Sequence, residues 1–246
     1  MPQNGSFLAF DTSTDVMSIA LTDGAHPAAR IWQHTGPGGA KASTTLIPAI
    51  LALLAEAGMA LGDLQAIAFG RGPGSFTGLR TACAVAQGLA FGANGGMGMA
   101  VLPIDTLMAV AEEARLQKQA SHITALLDAR MDEMYVQRYA CQSGVLTPLG
   151  PCQLIRPEDL QGDNSGAGTL YAGNVFGVYA ARLPADLNSV TCLPTATAML
   201  RLAPQLAASG RCVPADQALP LYVRDKVAQT TAEREAAKSL KLLDIK

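Results

Sequence analysis

The run Gly70-Arg71-Gly72-Pro73-Gly74-Ser75-Phe76-Thr77-Gly78-Leu79-Arg80 constrains this chain more than any other stretch. It follows the strand-like Ile67-Ala68-Phe69 and opens an alanine-rich helical pattern from Leu79 to Phe91. Four glycines within nine residues let a backbone turn tightly and lie close to another surface. Ser75 and Thr77 are candidate caps for the helix, whose first amides would present the positive end of its dipole. Strand, glycine loop and helix in this order make an anion site. The same residues equally make a structural turn packed against a neighbouring helix.

Two nucleotide motifs are excluded by spacing. A P-loop needs Gly-Lys-Ser/Thr after its second glycine, and here Leu79 and Arg80 follow Gly78. The dinucleotide fingerprint needs a carboxylate about 20 residues on, whereas the next acidic residues are Asp105, Glu112 and Glu113.

With 246 residues, 49% of them hydrophobic, the chain can bury one large core or two smaller ones. The first 105 residues carry only four basic side chains, Arg30, Lys41, Arg71 and Arg80, and the net charge is −2. Gripping nucleic acid unaided requires clustered cations, so that class is disfavoured. Cys83, Cys141, Cys152, Cys192 and Cys212 are odd in number and form no Cys-x-x-Cys, which reads as reduced thiols in a cytoplasmic protein. The N-terminus lacks a signal-peptide pattern and no uninterrupted apolar run reaches membrane-spanning length, so no membrane association is expected.

Ser6–Phe10 reads as a buried strand ending at Asp11, and Val16–Leu21 as a second strand antiparallel to it. Ala28–Gln33 follows as a third, with Gly36–Gly39 as loop. Ser43, Thr44 and Thr45 are cap candidates for a helix that tolerates Pro48 in its first turn and runs to Ala57. Further on come a strand at Met99–Leu102, a helix at Thr106–Leu116, strands at Ile123–Leu127 and Met134–Tyr139, and helices at Val175–Leu183 and Ala196–Ala208. Gly162–Gly168 reads as loop. Pro220–Arg224 reads as extended, and Ala232–Lys246 as a frayed helix. Strands leading and helices following point to an α/β protein of two similar-sized lobes.

The helices Leu46–Ala57 and Leu79–Phe91 are apolar nearly all round. Such helices are either sandwiched in a core or covered by another chain.

For chemistry, Asp11 is the best candidate acid: at the end of a first strand and before Thr12-Ser13-Thr14, it suits a site facing phosphate or a hydrated metal, or simply caps a turn. Asp128-Ala129-Arg130 is a second polar cluster, and a charge pair at the lobe junction would look the same. His26, His34 and His122 have no metal-ligand spacing. Gly74-Ser75-Phe76-Thr77-Gly78 misses the nucleophile elbow, and no cysteine is singled out as a nucleophile.

Taken together, Phe10–Thr14, the Gly70–Arg80 run, Asp128–Tyr135 and Leu221-Tyr222-Val223-Arg224 resemble the bacterial TsaB (YeaZ) family, in order and spacing from about Leu8 to Arg224. The resemblance implies an actin-like, RNase H-type fold. Its N-terminal lobe would be residues 1–104, completed by about 213–228, its C-terminal lobe residues 105–212, with a tail at 229–246. It also implies a role in making N6-threonylcarbamoyladenosine beside the anticodon of tRNAs that read codons starting with A. In that system a TsaC-type enzyme makes threonylcarbamoyl-adenylate, TsaD transfers the threonylcarbamoyl group, TsaB holds TsaD without catalysing, and TsaE is an ATPase bound to the pair.

TsaD-type proteins carry a metal-binding His-x-x-x-His at positions that here are Thr106 and Val110, neither of them a plausible ligand. TsaB members often carry a His where this chain has Ala42. The resemblance therefore implies no catalytic residue, no metal, and no cofactor of the chain's own, with ATP or ADP at most at the junction with partners. Asp11, Thr12, Gly72, Gly74 and Ser75 are the phosphate-proximal candidates. The two apolar helices, through Ile47, Ile50, Leu51, Leu54, Arg80, Cys83, Ala84 and Gln87, are the expected surface for TsaD, or for a second copy in its absence. tRNA would be met only through the complex. The rival readings are an ATP-dependent small-molecule kinase of the same superfold and a glycoprotease.

Overall fold

The structure is a computed structural model that describes residues 5–25, 28–96, 98–162 and 168–224. The expected tail at 229–246, residues 225–228 of the expected N-terminal lobe and His26 lie outside the described residues, as does most of the expected loop at Gly162–Gly168.

The strand β1 (Phe7–Asp11) is buried along its whole length. It pairs antiparallel with β2 (Val16–Thr22), Ala9 opposite Ala20, and parallel with β4 (Ala66–Gly72), Phe10 opposite Phe69. With β3 (Ile31–Pro37) beyond β2 and β5 (Ala100–Asp105) beyond β4, the first sheet has the order β3-β2-β1-β4-β5. The second sheet runs β11-β10-β6-β7-β8, with β9 also on β7. Its strands are β6 (His122–Asp128), β7 (Met134–Gln142), β8 (Val145–Pro148), β9 (Gln153–Ile155), β10 (Leu170–Gly173) and β11 (Ser189–Thr191).

Because β1 is apolar throughout, its two-residue period is invisible in composition yet decides the packing. Leu8 and Phe10, with Met17, Ile19 and Leu21, face α1 (Ala42–Ala57) and α2 (Phe76–Gly92). Phe7 and Ala9, with Ala20, face the opposite way, onto α3 (Thr106–Lys118) and α4 (Ala196–Ala208). The second sheet sends Ile123, Ala125 and Leu127 into that same core. Helices α3 and α4 are thus held between two sheets, whereas α1 and α2 cover one face of the first sheet and, among the described residues, keep Ile47, Leu51, Arg80 and Ala84 exposed on their outer side. A third, smaller core of Leu126, Met134, Val136 and Tyr179 lies on the far face of the second sheet. The segment after α4 returns to the first sheet: Val213 bridges Val101, and Ala215 and Ala218 pack beneath α2.

Buried charge ties α3 to α4. Glu112, 2% exposed, receives Arg115 at 2.7 Å and Arg201 at 3.0 Å, and Arg201 also reaches Glu113 at 2.9 Å. The Thr195 hydroxyl donates to Glu113 while accepting from the Ala198 amide, so it caps α4 and anchors it to α3 together.

Several sequence expectations are corrected. Gly36 and Pro37 belong to β3, on the sheet edge where proline is tolerated. Helix α1 begins at Ala42 with no side-chain cap; the Ser43 and Thr44 hydroxyls donate backwards to Ala40 and Lys41 carbonyls instead. Pro48 therefore sits in the second turn, on the exposed side. Val175–Leu183 forms successive turns, closed by bonds such as Tyr179 N to Val175 O, and no regular helix. The short strands β8 to β11 escape recognition because three or four residues carry too little pattern. Finally, the helical stretch Gly39–Ala57, with mean hydropathy 1.3, is long and apolar enough to cross a membrane by length and composition, which the interrupting Lys41 and Ser43–Thr45 conceal in the sequence. Its inner side, Ala42, Leu46, Ile50, Leu53 and Leu54, is committed to the core.

Candidate functional site

Between the two sheets lies a cleft of about 300 Å³. The β1–β2 turn (Ser13, Thr14, Asp15), the start of α2 (Gly74, Ser75, Phe76) and the returning segment Leu221–Arg224 line it from one side. The other side is the end of β6 and the turn after it (Leu127–Met131), with Tyr135 and Asn174.

The glycine loop meets its own chain rather than open space. A side chain at Gly78 would begin 1.9 Å from the Thr12 carbonyl oxygen, and one at Gly74 would begin 2.6 Å from Ser13 Cβ. The contact is sealed by hydrogen bonds: Ser75 N donates to Ser13 O, and the Thr12 hydroxyl to Gly78 O, both at 2.7 Å. Gly72, with φ +118°, is covered by the Leu221 carbonyl and Leu79. The β1–β2 turn therefore packs directly against the glycine loop, and both of them line the cleft through Ser13, Thr14, Gly74 and Ser75. Ser75 stands at the N-cap position of α2, but its hydroxyl makes no capping bond and Thr77 lies inside the helix.

The phosphate-proximal candidates separate by depth. Asp11 and Thr12 are fully buried below the cleft, and of the five candidates only Gly74 and Ser75 line it. Asp11 Oδ1 accepts from the Ser13 amide at 2.9 Å and the Ser13 hydroxyl at 2.6 Å, and Oδ2 accepts from Thr106 at 3.4 Å. Burial pushes its carboxyl up to about 6, against the lowering effect of those bonds. Thr106 thus serves as a donor to Asp11, and Val110 is core. No group of three or more His, Cys, Asp or Glu side chains suited to a metal occurs among the described residues.

The Asp128–Arg130 pair does sit where the two sheets face each other. Arg130 reaches Asp15 of the first sheet at 3.0 Å and Asp128 at 3.4 Å. Asp128 also accepts from Tyr179 at 2.8 Å, and Asn174 receives the Asp128 amide at 2.8 Å. Arg130, Met131 and Asp132 all take left-handed backbone (φ 59°, 56° and 61°), a costly run for residues with side chains. Arg224 holds it by donating to the Ala129 and Arg130 carbonyls at 3.1 and 3.2 Å and pairing with Glu133 at 2.7 Å. Sequence reasoning did not connect Asp15, Asn174 and Glu133 to this junction; the signal for Arg224 was its place in the Leu221–Arg224 motif.

The eight docking candidates divide by helix face. Ile47 and Leu51 are 44% and 51% exposed, Arg80 and Ala84 are exposed, and Gln87 is half-buried. Ile50, Leu54 and Cys83 point into the core, which corrects their assignment to an outer surface. Helical spacing explains it: four-residue steps from Leu46 to Ile50 and Leu54 follow the inner stripe, and those from Ile47 to Leu51 the outer one. Cys83 Sγ and Gln87 Nε2 both donate to the Ala218 carbonyl at 2.9 Å, holding the returning segment. The five cysteines are free thiols, and burial pushes Cys152 and Cys192 up to about 12, far from a nucleophilic thiolate.

Two mixed sheets enclosing helices, with a cleft where their turns meet, define an α/β protein of the actin-like, RNase H-type class. The family model described as TsaD, tRNA N6-adenosine threonylcarbamoyltransferase, matches residues 34–239. The chain is 34% identical over 240 residues to the tRNA threonylcarbamoyladenosine biosynthesis protein TsaB of Haemophilus influenzae, covering 92% of this chain and 96% of that protein. Against the TsaB of Escherichia coli it is 33% identical over 234 residues, covering 90% and 95%. The solved structure of YeaZ from Pseudomonas aeruginosa superposes with a TM-score of 0.78 at 37% identity, covering 89% of this chain and all of that one. The chain belongs to the TsaB (YeaZ) family.

Proposed function

We propose that this chain is the non-catalytic partner subunit in the formation of N6-threonylcarbamoyladenosine at position 37 of tRNAs reading ANN codons. It holds a TsaD-type transferase through the outward side of α1 and α2, pairs with a second copy of itself when that transferase is absent, and joins a TsaE-type ATPase in the assembled complex. It works in the cytoplasm, requires no cofactor of its own, and meets tRNA only through the complex; ATP or ADP sits at most at the junction with partners.

The observation that carries this reading is the glycine loop closed over the chain's own β1–β2 turn, with Ser75 N on Ser13 O. That bond commits the Ser75 amide to the chain's own backbone, where an anion-binding loop would offer it to phosphate. Family membership supplies the pathway, and Thr106 and Val110 at the positions of the transferase's metal ligands support a role without transfer chemistry. The outward side of α1 and α2, with Ile47, Leu51 and Phe91 exposed, supports docking, since large apolar side chains gathered on one uncovered side mark contact surfaces.

The test is reconstitution of tRNA modification from TsaC-, TsaD- and TsaE-type proteins with and without this chain. Modification should depend on its addition; undiminished modification without it would remove the assigned role.

A further inference from the structure

Across α1 and α2 there are two charged side chains, Glu56 in the last turn of α1 and Arg80 in the second turn of α2. Arg80 is therefore the lone cation of this helix pair, and it is exposed. It is also held in place. Its guanidinium carbon lies 3.9 Å from the centre of the Phe76 ring, and Nε donates to the Tyr222 hydroxyl at 3.1 Å. Phe76 and Tyr222 in turn pack in a tilted pair, ring centres 5.5 Å apart. No ion pair among the described residues involves Arg80.

We propose that Arg80 is the anchor of the docking surface, receiving a carboxylate of the transferase partner on the guanidinium edge that Phe76 and Tyr222 leave outward. This rests on the reading that α1 and α2 dock that partner, and it adds the chemistry of recognition. Covering a lone guanidinium with an apolar surface leaves a desolvated charge, which is costly unless an anion meets it. A carboxylate matches the guanidinium fork with two parallel bonds. The stacking against Phe76 fixes the side chain beforehand, so little rotamer freedom is lost on binding. Arginine and tyrosine amid apolar neighbours are also the usual composition of interface hot spots. A phosphate backbone is the poorer match, because RNA contacts need several clustered cations and neither helix supplies a second.

The experiment is calorimetric titration of the full chain with the purified transferase subunit at low and high ionic strength. Wild type is compared with Arg80→Gln, Arg80→Lys and Leu51→Asp, and circular dichroism melting checks each fold. Arg80→Gln should bind about tenfold or more weakly, and its Kd should respond less to salt than that of wild type. Arg80→Lys, keeping the stem and charge but losing the fork, should fall between. An Arg80→Gln Kd and salt response equal to wild type, with Leu51→Asp abolishing binding, would overturn the anchor and leave the docking surface standing. Wild-type binding by Leu51→Asp would overturn the docking surface itself. An effect of Arg80→Gln confined to tRNA capture or to self-association would also overturn the proposal.

Discussion

The hydroxyl of Thr12 donates to the carbonyl of Gly78 at 2.7 Å, and both groups are buried. That bond locks the β1–β2 turn into the first turn of α2. It is possible only because Gly78 lacks a side chain, since a Cβ there would begin 1.9 Å from Thr12 O. Backbone on both sides cannot yield as a flexible side chain would. Gly78→Ala should therefore cost about 3 kcal/mol or more, read as a lowered urea midpoint. A midpoint within error of wild type would show that the turn and helix are not locked.

Asp11 makes stability depend on pH. Its folded pKa, about 6, lies above its ordinary value of 3.8 because the carboxyl is buried. A raised carboxyl pKa favours the fold when protonated. The benefit is complete below about pH 4 and is lost as pH rises through 6. The gap between the two values corresponds to about 3 kcal/mol. Asp11→Asn cannot ionise, so its stability relative to wild type should rise between about pH 4 and pH 7 and then level off. Urea denaturation of both proteins across that range checks this; parallel profiles would contradict it.

The fold class and most of the elements were legible in the sequence because strand and helix periods are local. Helix Ala196–Ala208 ends where its pattern ends, and the antiparallel β1–β2 opening follows from Phe7–Asp11 and Val16–Thr22. The glycine loop was legible as a place of close approach. What it approaches was not, because Ser13 and Gly74 lie 61 residues apart in the chain, and nothing local says that the β1–β2 turn packs against the loop. The inner and outer sides of α1 were hidden for a different reason: leucine and isoleucine stand on both, so composition carries no facing signal. The junction built by Asp15, Arg130 and Arg224 was illegible because its members belong to three separate segments.

Glu112 is the clearest energetic dependence in the helical layer between the sheets. Two guanidinium groups converge on a carboxylate that is 2% exposed. Removing the carboxylate leaves both arginines facing a partly buried void. Glu112→Ala should cost about 3 kcal/mol, because breaking a buried pair costs more than its net worth. Glu113→Ala should cost less, its side chain being 18% exposed and sharing Arg201 with Glu112. Denaturation midpoints of the two variants should differ in that order.

Neighbouring positions on α1 separate the proposed docking surface from the core. Leu51 is 51% exposed, whereas Leu54, three residues on, is 4% exposed against β2 and its neighbours. A carboxylate at Leu54 would be buried without a partner, at a cost of about 4 kcal/mol. Leu54→Asp should melt far below wild type and lose partner binding only as a consequence of unfolding. Leu51→Asp puts its charge in water, so its melting temperature should stay within a few degrees of wild type. Its effect should fall on the proposed association and spare the fold, because burying the new carboxylate against a partner costs binding energy. Melting curves and co-purification of the two variants together decide the matter. Loss of stability in Leu51→Asp would mean that the outer side of α1 is part of the fold and is not a free surface.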